Sequence, residues 1–238
     1  MSSDPPGLHN LDYVPRYEKK LADNLPAGFT QFADFFAGTQ RLRTLGAMLE
    51  RHVTGTGLEV LNVGSGPFAT EIFVRSMAAQ RVLAVDYTPE FAPFHALFRQ
   101  DGHLKNTTFL RADITTENFG TDRFDLIILH DILYETALDM DSVVTRLKAT
   151  LRPGGMIFLD FVNARTAWIW HLMGRRTPFR RYDPRDVRRL LTHAGFRIVD
   201  WRPTHGAKSL SARAVHRALR LAGAANNYAV LARLPGDA

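Results

Sequence analysis

The stretch Leu58-Glu59-Val60-Leu61-Asn62-Val63-Gly64-Ser65-Gly66-Pro67-Phe68-Ala69 constrains this chain more than any other. Val60, Leu61 and Val63 are apolar and largely β-branched, which suits a short buried strand. Gly64 and Gly66 then remove two Cβ atoms where the chain must turn sharply. Ile72, Phe73 and Met77 recur at helical spacing, so the pattern predicts a helix over Phe68–Ala79. Strand, glycine turn and helix together open a nucleotide-binding α/β sheet, in which backbone N–H groups approach a ligand at a helix N-terminus. Glycine turns also join strands to helices with no ligand, so the remaining chain must decide.

Four more strand patterns follow at α/β spacing: Arg81–Tyr87, Thr107–Leu110, Phe124–Leu129 and Met156–Phe161. Two late ones, Phe196–Trp201 and Asn227–Arg233, complete the set. Between them lie helical patterns. One is capped by Thr88-Pro89 and runs to about Gln100; others span Asp141–Thr150 and the stretch from Asp183-Pro184 to the stop at Gly195. Such alternation implies an α/β, doubly wound, mostly parallel sheet. Right-handed crossovers then bring the C-terminal ends of the strands to one edge. Gly64 to Gly66, Asp86, Asp113, His130 and Asp160 gather there.

Composition excludes several chemistries. The chain has 238 residues and no cysteine, so disulfides, thiolate metal sites and cysteine nucleophiles are absent. Its histidines and carboxylates lack the tight spacing of a metal site. No run of about 18 apolar residues exists and no signal-peptide pattern opens the chain, which points to a cytoplasmic protein with no membrane span. The net charge of +6 permits an anionic partner without requiring one.

Residues 1–57 read as an N-terminal helical cap and 58–238 as the main domain, with inserts at about 163–181 and 208–223. Residues 1–10 look like a flexible, Pro-rich start. Helical patterns follow, the second over Thr39–His52. This region either packs its aromatics on the sheet or forms a lid whose Tyr13, Tyr17 and Phe29 line a substrate pocket. The first insert mixes Trp168, Trp170 and His171 with arginines, and Trp168 and His171 are further candidate substrate contacts.

In order along the chain stand Val63-Gly64-Ser65-Gly66, Asp86, Arg111-Ala112-Asp113-Ile114, Phe124-Asp125-Leu126-Ile127, Leu151-Arg152-Pro153-Gly154-Gly155 and Ala194-Gly195-Phe196. From about Leu58 to Leu234 the chain resembles a class I S-adenosylmethionine-dependent methyltransferase. The resemblance implies a seven-stranded sheet whose last strand, Asn227–Arg233, is antiparallel. It implies S-adenosyl-L-methionine as cofactor and S-adenosyl-L-homocysteine as product. Gly64, Ser65 and Gly66 would wrap the methionine part, Asp86 would hold the ribose diol and Tyr87 would lie against the adenine. Asp113 would accept the adenine amino group, Ile114 would pack on the ring, and Leu129 and His130 would line the site near the sulfonium. Two positions depart from the family pattern: Asn62 replaces its usual acid and Phe68 its third glycine.

His130 is the first candidate for a general base and Tyr134 a weaker one, because a neutral imidazole suits proton transfer near pH 7. The competing reading of His130 is a wall residue. The expected acceptor is a small organic molecule, of secondary-metabolite or quinone-like type, methylated on O, N or C. The basic stretches Arg175–Arg189 and Arg213–Arg220 leave open an RNA methyltransferase acting through phosphate contacts. They also fit solvated helix faces. Gly64-x-Gly66-x-x-Ala69 with Asp86 fits an NAD(P)-dependent oxidoreductase as well. That reading leaves Asp113 and the Leu151–Gly155 turn unexplained and finds no Tyr-x-x-x-Lys pair.

Overall fold

The computed structural model describes residues 5–27, 29, 40–166, 168, 179–205, 210–221 and 224–236. Seven strands form one sheet: β1 (Glu59–Val63), β2 (Arg81–Asp86), β3 (Thr107–Arg111), β4 (Phe124–Leu129), β5 (Leu151–Val162), β6 (Arg197–Thr204) and β7 (Asn227–Arg233). Their order across the sheet is β3-β2-β1-β4-β5-β7-β6. Neighbours from β3 to β5 pair in parallel, whereas β7 pairs antiparallel with both β5 and β6. The expected mostly parallel sheet with an antiparallel last strand is therefore present. The described helices are α1 (Val14–Asn24), α2 (Gln40–His52), α3 (Ala69–Phe73), α4 (Ala92–Gln100), α5 (Met140–Lys148), α6 (Pro184–His193) and α7 (Leu210–Leu221).

Two cores cover the two faces of the sheet. Successive side chains of a strand point to opposite faces. Val60, Leu126, Ile128 and Phe158 accordingly join one cluster with Leu45 and Met48 of α2. Leu61, Val63, Ile127 and Leu159 join the other with Val143 and Leu147 of α5 and Val187 of α6. Central parallel strands read as unbroken apolar runs because both faces are buried.

Local corrections have physical causes. Residues 5–10 are docked, not loose. Leu8 is fully buried and pairs with Val74, the His9 N–H donates to Phe73 O (2.9 Å), and Gly7 lies against the backbone of Gly46. A Cβ on Gly7 would stand 2.1 Å from the Gly46 carbonyl carbon, so only glycine permits this crossing. The same pairing cuts the expected helix over 68–79 short: α3 ends at Phe73, Val74 turns extended to meet Leu8, and a single 3-10 turn, Arg75–Met77, follows. Thr88 makes no side-chain cap; instead the Asp86 carboxylate accepts the Thr88 N–H (2.9 Å). Asp139 rather than Asp141 begins α5, its carboxylate accepting from Ser142. Leu151–Gly155 turns as expected but within β5: the pairing with β4 jumps from Phe124↔Leu151 to Leu126↔Met156, and Gly154 stands at φ 77°. Asp183 caps α6 and Gly195, at φ 84°, ends it as expected.

Candidate active site

β1 ends at Val63 and the chain turns back over β2. The N–H groups of Gly64 and Ser65 both donate to Val85 O (2.8 and 3.1 Å), and the Gly66 N–H donates to Asp86 Oδ2 (2.9 Å). Sequence pattern alone suggests amides offered to a ligand; here all three are taken by β2. Gly64 (φ 68°) and Gly66 (φ 52°) both need the left-handed region. Phe68 adopts it too (φ 64°), at the place of the family's third glycine. A left-handed L-residue costs about 1–2 kcal/mol. Full burial of the Phe68 ring against His95 and Phe109 offsets that cost.

The strand ends enclose a cleft of about 570 Å³. Its wall includes Gly64, Ser65, Gly66, Asp86, Tyr87, Asp113, Ile114, His130, Asp131, Tyr134, Glu135 and Phe29. The structure thus brings together residues separated by half the chain. Asp86, Asp113, Asp131 and Glu135 face this space, with no Lys or Arg among its described lining residues. Such a cleft favours a cationic ligand over a pyrophosphate. Ser65 Oγ and His130 Nε2 are buried without a hydrogen-bond partner, so two polar atoms on the wall await one. Asp113 forms a local turn, accepting the N–H and Oγ1 of Thr115 (2.8 and 2.7 Å), which holds its carboxyl below the usual range.

Other expected contacts lie elsewhere. Leu129 is fully buried in the α5-side core and does not line the cleft, because the strand's alternation turns it away from the edge. Tyr13 is not on the cleft: its hydroxyl donates to Asp101, beyond the end of α4. Tyr17 is not on it either. It is fully buried against Phe98 (5.2 Å) and donates to Pro67 O (3.0 Å), bracing the glycine turn from behind. Trp168 is largely exposed and away from the cleft. His171 lies outside the described residues. Tyr134 stacks edge-on against Phe179 (5.1 Å).

A charged cluster that the sequence reading missed sits at the β4 and β5 ends, with Asp160 buried and Arg41 and Asp131 half-buried. Arg41 of α2 donates to Asp131, and the Asp131 N–H donates to Asp160 Oδ1 (2.6 Å). Asp131 holds a left-handed backbone (φ 58°), which aspartate tolerates better than most residues. Burial pushes both carboxyls up and the Arg41 charge opposes it. One signal was available: Arg41, Leu45 and Met48 share one helix face, a cation on an apolar stripe. His130 is pulled down to about 4 by burial, which outweighs the nearby Asp131; Arg41 adds to the shift. It is neutral at pH 7 and a weak base.

Behind the turn, Asn62 Nδ2 donates to Glu71 Oε1 (2.7 Å), and burial lifts the Glu71 carboxyl to about 7. Glu71 lies behind the turn and does not line the cleft. An unfolded glutamate titrates near 4.3, so between that pH and about 7 the native state holds a proton that the unfolded chain has released. Stability therefore falls as pH rises through this window. Glu71→Gln should stabilise the fold by about 2–3 kcal/mol at pH 8 and far less at pH 4.5, read by urea unfolding at each pH. An equal gain at both would refute the protonated state.

A family model described as a methyltransferase domain matches residues 55–194, more than half of the chain. Solved structures share the fold at low identity. The 1,6-didemethyltoxoflavin-N1-methyltransferase of Burkholderia thailandensis, with 1,6-didemethyltoxoflavin and S-adenosylhomocysteine bound, is 19% identical with a TM-score of 0.58, over 98% of this chain and 93% of that one. Magnesium protoporphyrin IX methyltransferase of Synechocystis PCC 6803, also with S-adenosylhomocysteine, is 16% identical with a TM-score of 0.65, over 94% and 97%. The [4+2]-cyclase SpnF is 19% identical with a TM-score of 0.63, over 95% and 94%. No curated protein matches the chain. With its strand order and its edge cleft, the family match shows that the chain belongs to the methyltransferase-domain family, the class I S-adenosylmethionine-dependent enzymes that its sequence resembles.

Proposed function

We propose that this protein transfers the methyl group of S-adenosylmethionine to a small organic acceptor, of secondary-metabolite or quinone-like type. The observation that carries the proposal is the single acid-lined cleft shared by Gly64 to Gly66, Asp86, Asp113 and His130. When bound, the cofactor supplies an electrophilic methyl on a positively charged sulfur. Asp86 holds the ribose hydroxyls: two of its roughly four lone-pair sites accept Gly66 and Thr88, and the others remain. Asp113 and Ile114 take the adenine, with exposed Tyr87 beside it. Ser65 Oγ supplies one polar contact toward the methionine part.

At the far end His130, Tyr134 and Phe29 orient the acceptor. Burial keeps His130 neutral, so its Nε2 accepts a hydrogen bond from an acceptor hydroxyl or amine and fixes that group for attack. Its low basicity makes positioning its main contribution. Burial and Asp131 raise the Tyr134 hydroxyl, which stays protonated and donates. An NAD(P) oxidoreductase is disfavoured by the four carboxylates and by the absence of free amides at 64–66, since a pyrophosphate needs donors.

Calorimetry with S-adenosylhomocysteine and with NADH tests the reading. Saturable binding of the first alone is expected; binding of NADH alone sinks it. One similar structure is named for a cyclisation, and a fold does not fix a reaction, so methyl transfer itself must also be followed with labelled S-adenosylmethionine. In that assay His130→Ala should lower kcat about 10- to 100-fold while leaving cofactor affinity within about twofold. Equal losses in both would move His130 from acceptor positioning to cofactor binding.

A further inference from the structure

The two basic stretches of the sequence have different fates. Around α6 three arginines are engaged within the chain: Arg188 stacks on Trp201 (4.9 Å), Arg189 pairs with Asp186, and Arg180 donates to Leu138 O. At α7 they converge. His205, Arg213, His216, Arg217 and Arg220 line a second cleft of about 450 Å³, with exposed Leu221 on its rim and no acid among the described lining residues. His205 and His216 stack face to face, centroids 4.7 Å apart at 13°, and His216 is buried. Arg217 and Arg220 make no ion pair among the described residues.

Helix α2 joins this cleft to the first. Thr44 Oγ1 accepts from Thr204 Oγ1 (3.1 Å), next to His205. One turn earlier on the same face Arg41 grips Asp131, on the wall of the cofactor cleft. Arg41 thus stands between the two clefts, paired with Asp131 on one side and close enough to His205 and His216 on the other to lower both.

We propose that the α7 cleft binds the anionic group, carboxylate or phosphate, of the methyl acceptor. The proposal rests on the methyl-transfer reading above and adds the charge of the substrate. Three guanidiniums around one concavity match a compact anion, since each offers a planar fork of donors to carboxylate or phosphate oxygens. They do not form the extended track that a nucleic-acid strand follows. The histidines register the nearby positive charge. Burial and then Arg213, Arg220 and Arg41 draw His205 down; burial, His205 and Arg41 draw His216 down to about 4. Both rings are neutral at pH 7, so Arg217 and Arg220 are the charges an anion meets there.

Inorganic pyrophosphate and tricarballylate serve as phosphate and carboxylate probes, titrated by calorimetry into the full chain with and without S-adenosylhomocysteine. At least one should saturate at one per chain, and the tighter probe names the acceptor's anionic group. The double variant Arg217→Glu/Arg220→Glu should weaken that binding at least tenfold. Both side chains are exposed, so its affinity for S-adenosylhomocysteine should be unchanged, which also verifies the fold. Failure of both anions to saturate overturns the proposal, as does undiminished binding by the variant. Tight binding of a single-stranded oligonucleotide through these arginines, with both small anions failing, overturns it in favour of a nucleic-acid surface. Loss of S-adenosylhomocysteine binding by the parent protein speaks against methyl transfer alone, and the anion titration without it still decides this cleft.

Discussion

Asp86→Ala should weaken S-adenosylhomocysteine binding by about 1–3 kcal/mol, a rise in Kd of about 5- to 150-fold. Two effects add. The proposed ribose acceptor disappears, leaving two hydroxyls without a charged partner. The carboxylate also fastens the glycine turn to β2 through Gly66 and Thr88, so its loss frees the turn that must be in place before a ligand arrives. Asp86→Asn keeps the shape but supplies one acceptor oxygen in place of two, and should fall between alanine and the parent. Calorimetry well below the midpoint of thermal unfolding separates affinity from stability. A Kd that stays put in the alanine variant removes Asp86 from the cofactor site.

Gly64→Ala should destabilise the protein by about 2–5 kcal/mol, a large share of the roughly 5–15 kcal/mol typical of a folded domain. The backbone there has φ 68°, which costs an alanine about 1–2 kcal/mol. The new Cβ would also stand 2.0 Å from Ile132 Cγ2 and 3.2 Å from Ile132 Cβ. Relief of that overlap must move a packed side chain, a further cost of about 1–3 kcal/mol. Ile132→Ala in the same chain should recover part of the loss, and a double-mutant cycle by urea unfolding measures the coupling. Simple additivity would show that the two residues do not collide. Gly66→Ala is the contrast: nothing lies within 4 Å of its Cβ, so the fold loses only the backbone cost of about 1–2 kcal/mol.

The parallel sheet was legible because a two-faced strand must be apolar at consecutive positions. β1, β2, β4 and β5 each show such a run beside a glycine or an acid. The acids at strand ends were legible for a related reason: right-handed crossovers leave little choice of edge. Tyr13, Tyr17 and Leu129 were misplaced because an aromatic or a leucine near a site reads identically whether it faces the cleft or the core. Only the position of α1 against α4 sends Tyr17 to Phe98, and only the register of β4 turns Leu129 inward. The docked N-terminus was hidden because Leu8 finds its partner Val74 far along the chain, and Gly7 finds room only against Gly46.

Local pattern therefore determined the strand set, the glycine turn, the capped α6 and the common edge at which Asp86 and Asp113 meet, since each depends on sterics and periodicity within a few residues. Tertiary structure alone decided which of the turn's amides were already spent, how Arg41 reached Asp131, that Glu71 is buried against Asn62, and that the α7 arginines line one hollow. Those features are contacts between segments that chain spacing does not relate, and burial, which sets their charge states, exists only once the layers have packed.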